Sequence, residues 1–358
     1  MQRESTSHLV SPSVRIPAEW EPHACCWMAW AVHQEWGNAV NKVKRELSEV
    51  VQTIARYEPV RVLAPRGDAL REAQREFSDC SNVTVHEAPV DDIWIRDIAP
   101  TFALCGNGPQ KTVVAIDWNF NGWGGTRKRR PRAGDRLAKT AASIFGVPRV
   151  SVPFVAEGGA LVTDGQGTLI TTRSCLINPN RNPVRRGQDR QRRIETEFTK
   201  LGIRNVIWLE GDAREPITSG HADGYVLLAP SGVVLVETYN DKAVEPPMWR
   251  EHDIALLKNA LDANGRKLKL VRIVAPRRQY WKRKGDLFAP CYLNAYVANG
   301  AVIGARFSDA ERDEAARKAL ARAFPGRETV ILTIDNIANA GGGIHCLTQP
   351  MPLLRNNE

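Results

Sequence analysis

A thiol, an imidazole and three carboxylates recur along this sequence in matching settings. Cys346 follows three glycines in GGGIHC, and His221 and Asp223 share SGHADG. Glu157 precedes Gly158-Gly159, and Asp97 lies in DDIWIRD with Asp91, Asp92 and Trp94 just before it. Glycine beside a reactive side chain lets another group approach the backbone closely. Positions i and i+2 of a strand point to one face, so His221 and Asp223 are expected to look into the same space. A lone cysteine is ordinarily inert core, and a histidine or acid before glycine is ordinarily a turn residue. Recurrence at the same place in successive similar units is what favours a chemical reading.

A protease-like Cys-His pair needs one group to orient its base. Three acids suit a cationic substrate instead. A guanidinium is planar, always charged, and offers N–H donors that carboxylates grip in pairs. Its central carbon is a poor electrophile, so it must be held in front of the sulfur, and orientation of that kind is worth ~7–11 kcal/mol. Cys346 would attack as thiolate, and His221 would protonate departing ammonia and then activate water against the thiouronium. A free thiol titrates near ~8.5 and surrounding acids push that up, so His⁺ or the bound cation must generate the thiolate. No second cysteine or histidine is placed for a metal.

These residues need a scaffold that brings them together. EGGALVTDGQGTLITT, HADGYVLLAPSGVVLVET and LNAYVANGAVIGARF each read as a polar motif, a strand, a turn and a second strand. RDIAPTFALCGNGPQKTVVAIDW fits with a longer turn, and HCLTQPMP reads as the first half of a fifth unit. Helical patterns followed by short strands lie between them: 38–57 before VRVLA, 190–201 before NVIWLE, and 251–261 before LKLVRIV. A further helix opens at Ser308, with Glu311 completing a capping box. The motifs at Asp97, Glu157, His221, Asn294 and Cys346 are spaced by 60, 64, 73 and 52 residues. Units of that size bury their faces only by stacking on neighbours. Closed into a ring, they would aim all five motifs at one axis, whereas a linear sheet would leave them apart.

Composition limits the alternatives. The chain has 358 residues, is 43% hydrophobic and 25% charged, and carries a net charge of +9. No apolar run is long enough to span a bilayer. The first twenty residues lack a signal-peptide core, and the seven scattered cysteines read as reduced thiols, so the cytoplasm is expected. The basic clusters at 127–132, 185–193 and 277–284 read as solvated faces, with no nucleic-acid module to accompany them.

In these motifs the chain resembles the agmatine deiminase and bacterial peptidylarginine deiminase family of the guanidino-group-modifying superfamily. The matching stretches are PAEWEPHACCWMAW, DDIWIRDIAPTF, AEGGALVTDGQGTLITT with CLINPNRNP, SGHADGYVLL and GGGIHCLTQPMP, from about Ile16 to Pro352. The resemblance implies an α/β fold, a five-bladed pseudo-symmetric propeller of ββαβ units, as a single catalytic domain over 1–358 with a flexible stretch at 1–14. It implies Cys346 as nucleophile, His221 as general acid and base, Asp97 and Asp223 on the guanidinium, and Glu157 supporting substrate or histidine. Trp94, Asp91 and Gly343 are expected at the substrate. A homodimer, no metal and no cofactor are implied as well. The activity implied is hydrolysis of agmatine to N-carbamoylputrescine and ammonia, within putrescine synthesis. The family commonly has asparagine where this chain has Gly224 and Gly343, and proline where it has Ala31; these departures bear on what holds the far end of the substrate. Deimination of peptidyl-arginine or another small guanidine, amidino transfer to an amine, and a basic binding protein without activity are the competing readings.

Overall fold

Runs such as Val226–Ala229 and Val233–Thr238 are apolar on both faces, which suits strands covered on both sides. In the computed structural model, which describes residues 13–354 apart from 107, 109–110, 126–133, 241–247, 283 and 286, such strands form five separate sheets. The fold is mixed α/β. Four sheets contain an antiparallel pair, then a segment that is helical over part of its length, then a strand added in parallel. Val226–Ala229 pairs with Val233–Thr238, for example, and the helix Met248–Asn259 leads to Lys269–Val274 beside the latter.

The fifth sheet joins the two ends of the described chain. Gln349–Pro352 pairs antiparallel with His23–Ala29, which continues in parallel to Val60–Ala64 and Val83–Glu87. The half-unit expected at HCLTQPMP is thus completed by the N-terminal segment. Between His23–Ala29 and Val60–Ala64 runs the helix Val40–Ala55, shorter than the 38–57 pattern because a 3-10 turn covers Gln34–Ala39. Its stripe of Val43, Leu47, Val50, Val51 and Ile54 is buried.

Two local expectations change. The capping box at Ser308 does not form. Ser308 takes a left-handed φ of 65°, and the helix starts at Ala310 after Asp309. Glu311 and Asp309 are drawn instead to Arg277 on a neighbouring segment. His221 and Asp223 do not lie on a strand either; residues 222–224 make a 3-10 turn entered from Gly220 at φ 89°.

The basic clusters have uneven fates. The cluster at 127–132 falls outside the described residues, as does the flexible stretch expected at 1–14 up to residue 12. Arg190 donates to the carbonyls of Asn182 and Ile177, and Lys284 pairs with Asp335 at 2.8 Å. No described helix is long and apolar enough to cross a membrane.

A buried carboxylate helps to seal the closing sheet against its neighbour. Glu58, 1% exposed, accepts from Tyr296 Oη, from Asn299 N at 2.7 Å and from His23 Nδ1 at 3.1 Å. Tyr296→Phe removes one donor to a buried charge and is expected to cost about 1.5–3 kcal/mol. Urea unfolding of the two proteins measures it, and an unchanged midpoint would show that the remaining donors suffice.

Candidate active site

Each of the five polar motifs stands just ahead of the first strand of an antiparallel pair. Asp97 precedes Thr101–Cys105, Glu157 precedes Val162–Thr163, and His221 with Asp223 precedes Val226–Ala229. Asn294 precedes Tyr296–Ala298, and Cys346 precedes Gln349–Pro352. The structure brings these ends together. A Cβ built on Gly159 would lie 2.6 Å from His221 Nδ1, 2.9 Å from Asp223 Oδ2 and 3.0 Å from Asp97 Oδ1. Three polar atoms from two other units therefore converge on Gly159, packed so closely that no side chain fits there.

Cys346 joins this group. Its Sγ lies 3.8 Å from Asp223 Oδ2, and its backbone N–H donates to Asn294 Oδ1 at 3.2 Å. The sulfur opens on a cleft of about 240 Å³ that is also lined by His221, Asp223, Gly224, Asn294 and Gly341–Gly343. The three glycines are explained mainly by the protein's own side chains. A Cβ at Gly342 would meet the Trp94 ring at 2.5 Å, and one at Gly343 would meet Asn294 Oδ1 at 2.6 Å. Trp94 is thus placed behind the glycine run. Asp91 is half-buried on the segment leading to it, and neither is among the described residues lining the cleft.

Every acid of the chamber has a cation against it. Arg181 Nε donates to both oxygens of Glu157, at 2.8 and 3.1 Å, with both side chains fully buried. Burial would raise the Glu157 pKa, but Arg181 and His221 outweigh it and hold it low. His345 Nδ1 faces Asp223 Oδ2 at 2.8 Å, and with His221 it keeps that carboxyl below its ordinary value in spite of burial. His221 lies between Asp97 Oδ2, 3.8 Å from Nδ1, and Glu157 Oε2, 3.4 Å from Nε2 but not aligned for a hydrogen bond. Desolvation opposes its proton, yet Asp97, Cys175 and Glu157 prevail and raise its pKa well above that of free histidine.

Asp97 and Cys346 shift the other way. Burial, with Asp223 and Glu157 nearby, raises Asp97 against the pull of His221 and of the Trp123 indole N–H, 2.8 Å from its Oδ2. Burial and the carboxylates of Asp223 and Asp97 push the Cys346 thiol well above its ordinary range. At rest the sulfur is protonated.

Chain-wide comparison agrees with the geometry. The sequence model of the Porphyromonas-type peptidyl-arginine deiminases matches residues 15–352. The chain belongs to that family. Agmatine deiminase from Medicago truncatula is 33% identical to it over 95% of this chain and 96% of the relative. The Pseudomonas aeruginosa agmatine deiminase is 34% identical over the same shares. The solved structure of agmatine deiminase from Enterococcus faecalis superposes with a TM-score of 0.85 at 26% identity, covering 97% of this chain and 99% of that one.

For this deiminase-family chain, sequence reasoning left out five side chains that build the chamber: Glu19, Trp123, Cys175, Arg181 and His345. Glu19, Arg181, Cys175 and His345 all fall inside the matching motifs, but a motif does not say which way a side chain points. Glu157, Cys175 and His221 offer ligand atoms within 4.8 Å of one another, the one such group among the described residues. Arg181 already occupies Glu157 there, and a second cation beside that guanidinium would be repelled.

Gly159→Ala tests the convergence directly. Gly159 has no left-handed φ, so the backbone tolerates alanine and the effect is confined to the chamber. The methyl group would displace His221, Asp223 and Asp97 together, and kcat/KM for a guanidine should fall by about 10² or more. Steady-state kinetics beside a melting curve separates that loss from unfolding.

Proposed function

We propose that the protein hydrolyses agmatine to N-carbamoylputrescine and ammonia through a covalent Cys346–amidino intermediate. The observation that carries this is the meeting of His221 Nδ1, Asp97 Oδ1 and Asp223 Oδ2 against Gly159, with the Cys346 sulfur beside Asp223. Asp97 and Asp223 grip the guanidinium nitrogens and set its carbon before the sulfur. The cleft walls add carboxyls at Asp212, Glu215 and Glu237 and one guanidinium, Arg250, an excess of acids that suits a substrate with a second positive end. Two relatives over 30% identical bear the name agmatine deiminase, which supports the choice among small guanidines.

Charge matching supplies the thiolate. The chamber's anions are already balanced by Arg181, His345 and His221, so an entering guanidinium brings one uncompensated positive charge. Release of the Cys346 proton through the cleft to solvent restores neutrality in a buried site where net charge is costly. The thiolate then attacks the central carbon, and a C–S bond forms. His221 gives its proton to one amino nitrogen, the C–N bond breaks, and ammonia leaves. Neutral His221 takes a proton from water as its oxygen adds to the thiouronium carbon. The C–S bond breaks, the hydroxyl proton passes to the departing sulfur, and the ureido product forms with Cys346 returned as the thiol. No step requires a metal or cofactor.

The same reading takes residues 1–358 as one catalytic domain, a homodimer in the cytoplasm, with the five sheets as blades of a propeller around the chamber. One motif at the head of each sheet supports that arrangement.

An ammonia-release assay on agmatine, free arginine, an arginyl peptide and other small guanidines tests the substrate, with agmatine expected to give the highest kcat/KM. Cys346→Ser should abolish release from all of them, and ammonia production by that variant would remove the covalent route. The raised thiol pKa gives a further expected outcome. Neutral iodoacetamide should alkylate Cys346 slowly at pH 7 and faster as pH rises through the thiol's titration, whereas a cationic haloacetamidine should label it readily at pH 7. Equal rates for the two reagents at pH 7 would show a thiolate already present at rest.

A further inference from the structure

His345 precedes the nucleophile in sequence, yet it does not line the cleft. Its ring is buried against Asp223 Oδ2, the same oxygen that the Cys346 sulfur approaches, and heads a chain of charges through Glu19 to Arg96. Nδ1 faces Asp223 Oδ2 at 2.8 Å, and Nε2 faces Glu19 Oε1 at 3.2 Å. Glu19 pairs with Arg96 at 2.7 Å, and Arg96 Nε donates to the His345 carbonyl at 3.3 Å. Both ring nitrogens thus face carboxylate oxygens, which only accept, so both must carry protons for both contacts to be bonds. Further bonds fix the His345 backbone and tie Asn294 to Asp223. The His345 N–H donates to the Asn294 carbonyl at 3.2 Å, Thr348 Oγ1 donates to the His345 carbonyl at 2.9 Å, and the Asn294 amide reaches the Asp223 carbonyl at 3.3 Å.

We propose that His345 is a positioning residue for guanidinium recognition: as an imidazolium braced by Glu19 and Arg96, it keeps Asp223 ionised and turned toward Cys346 when no substrate is bound. The inference rests on the deiminase reading of the chamber and adds to it a fixed countercharge outside the substrate's reach. It answers a physical problem. Asp223 shares a dry chamber with Asp97 and Glu157, and carboxyls so crowded tend to hold a proton. A protonated Asp223 would lose an acceptor for the cation and the charge that attracts it.

Sign and surroundings are both defined. The charged groups facing His345 are Asp223, Glu19 and Arg96, with His23 acting on Glu19 from behind. Burial and Arg96 oppose the proton on His345, and Glu19 and Asp223 prevail, so its pKa lies above that of free histidine. Facing Asp223 are His345, His221, Arg96, the Asp97 carboxyl and the Cys346 thiol. With His345 charged, Asp223 stays ionised to a lower pH. Without that charge its pKa rises, so activity falls off at a higher pH as the solution is acidified.

The test uses the full chain in two independent measurements. In the first, kcat/KM for agmatine is followed from pH 5 to 9 for wild type, His345→Asn and Glu19→Gln. Asparagine retains a donor toward Asp223 but no charge. Its acid limb should move up by about one pH unit or more, with a loss of about tenfold or more at pH 7 that shrinks toward alkaline pH. Glu19→Gln, whose side chain lies behind His345, should move the limb the same way by less. A limb that stays in place in both variants, or a loss uniform across pH, overturns the proposal. In the second, histidine-labelled protein is examined by NMR at pH 8, where free histidine is neutral. A His345 ring protonated on both nitrogens supports the proposal, and a singly protonated ring overturns it even if His345→Asn fails to fold. The NMR measurement needs no turnover, so it decides the matter even if no guanidine is hydrolysed. Wild-type activity with an unmoved acid limb would sink this inference and leave the deiminase reading intact.

Discussion

Three carboxyl groups share one water-poor chamber, and the rest of the structure follows from having to make that tolerable. An unpaired charge so placed would cost about 3–5 kcal/mol. Arg181 from the loop after Arg173–Leu176 backs Glu157, His345 backs Asp223, and His221 is shared by Asp97 and Glu157. Such pairs are weak sources of stability, since desolvation consumes most of their attraction. Their value is chemical. They fix an anionic surface of defined shape and leave its neutrality to be disturbed only by the arrival of a cation, and the sulfur responds by losing its proton.

Scaffold and chemistry meet at the head of each sheet. A strand's first residues are where the backbone leaves irregular structure, and there a turn can aim a side chain inward. Gly159 and Gly343 serve by having no side chain, the first toward His221, Asp223 and Asp97, the second toward Asn294. The cost of glycine in an ordered segment, about 0.5–1 kcal/mol, is small beside what misplaced catalytic groups would lose. Asn294 has a double task, holding the Cys346 amide with its oxygen and the Asp223 carbonyl with its nitrogen.

Much of this was legible in the sequence. The hairpin turns, the apolar pairs and the polar motif ahead of each recur at a period that periodicity alone exposes, so the pairs at Val162, Val226 and Tyr296 were expected where they occur. Cys346, His221, Asp223, Asp97 and Glu157 stood out because they repeat in position. What failed to show depends on distant partners. Ser308 has the pattern of a helix cap, and Arg277, more than thirty positions away, draws off Glu311 and Asp309. His345 stands beside the nucleophile in plain view, but its meaning lies in Glu19, brought up from the other end of the described chain. His221 and Asp223 do share a space, by way of a tight turn rather than an extended strand.

The strand His23–Ala29 carries a burden during biosynthesis. Cys25, Cys26, Trp27 and Met28 are all buried in the finished molecule, and one edge of the strand is covered by Gln349–Pro352, which is synthesised more than three hundred residues later. Until then a sticky, apolar edge is open to any passing strand, including the same segment of a neighbouring nascent chain. The segment that carries the thiol into the pocket is thus also the one that closes this edge, and the nascent chain is open to misassembly until it arrives.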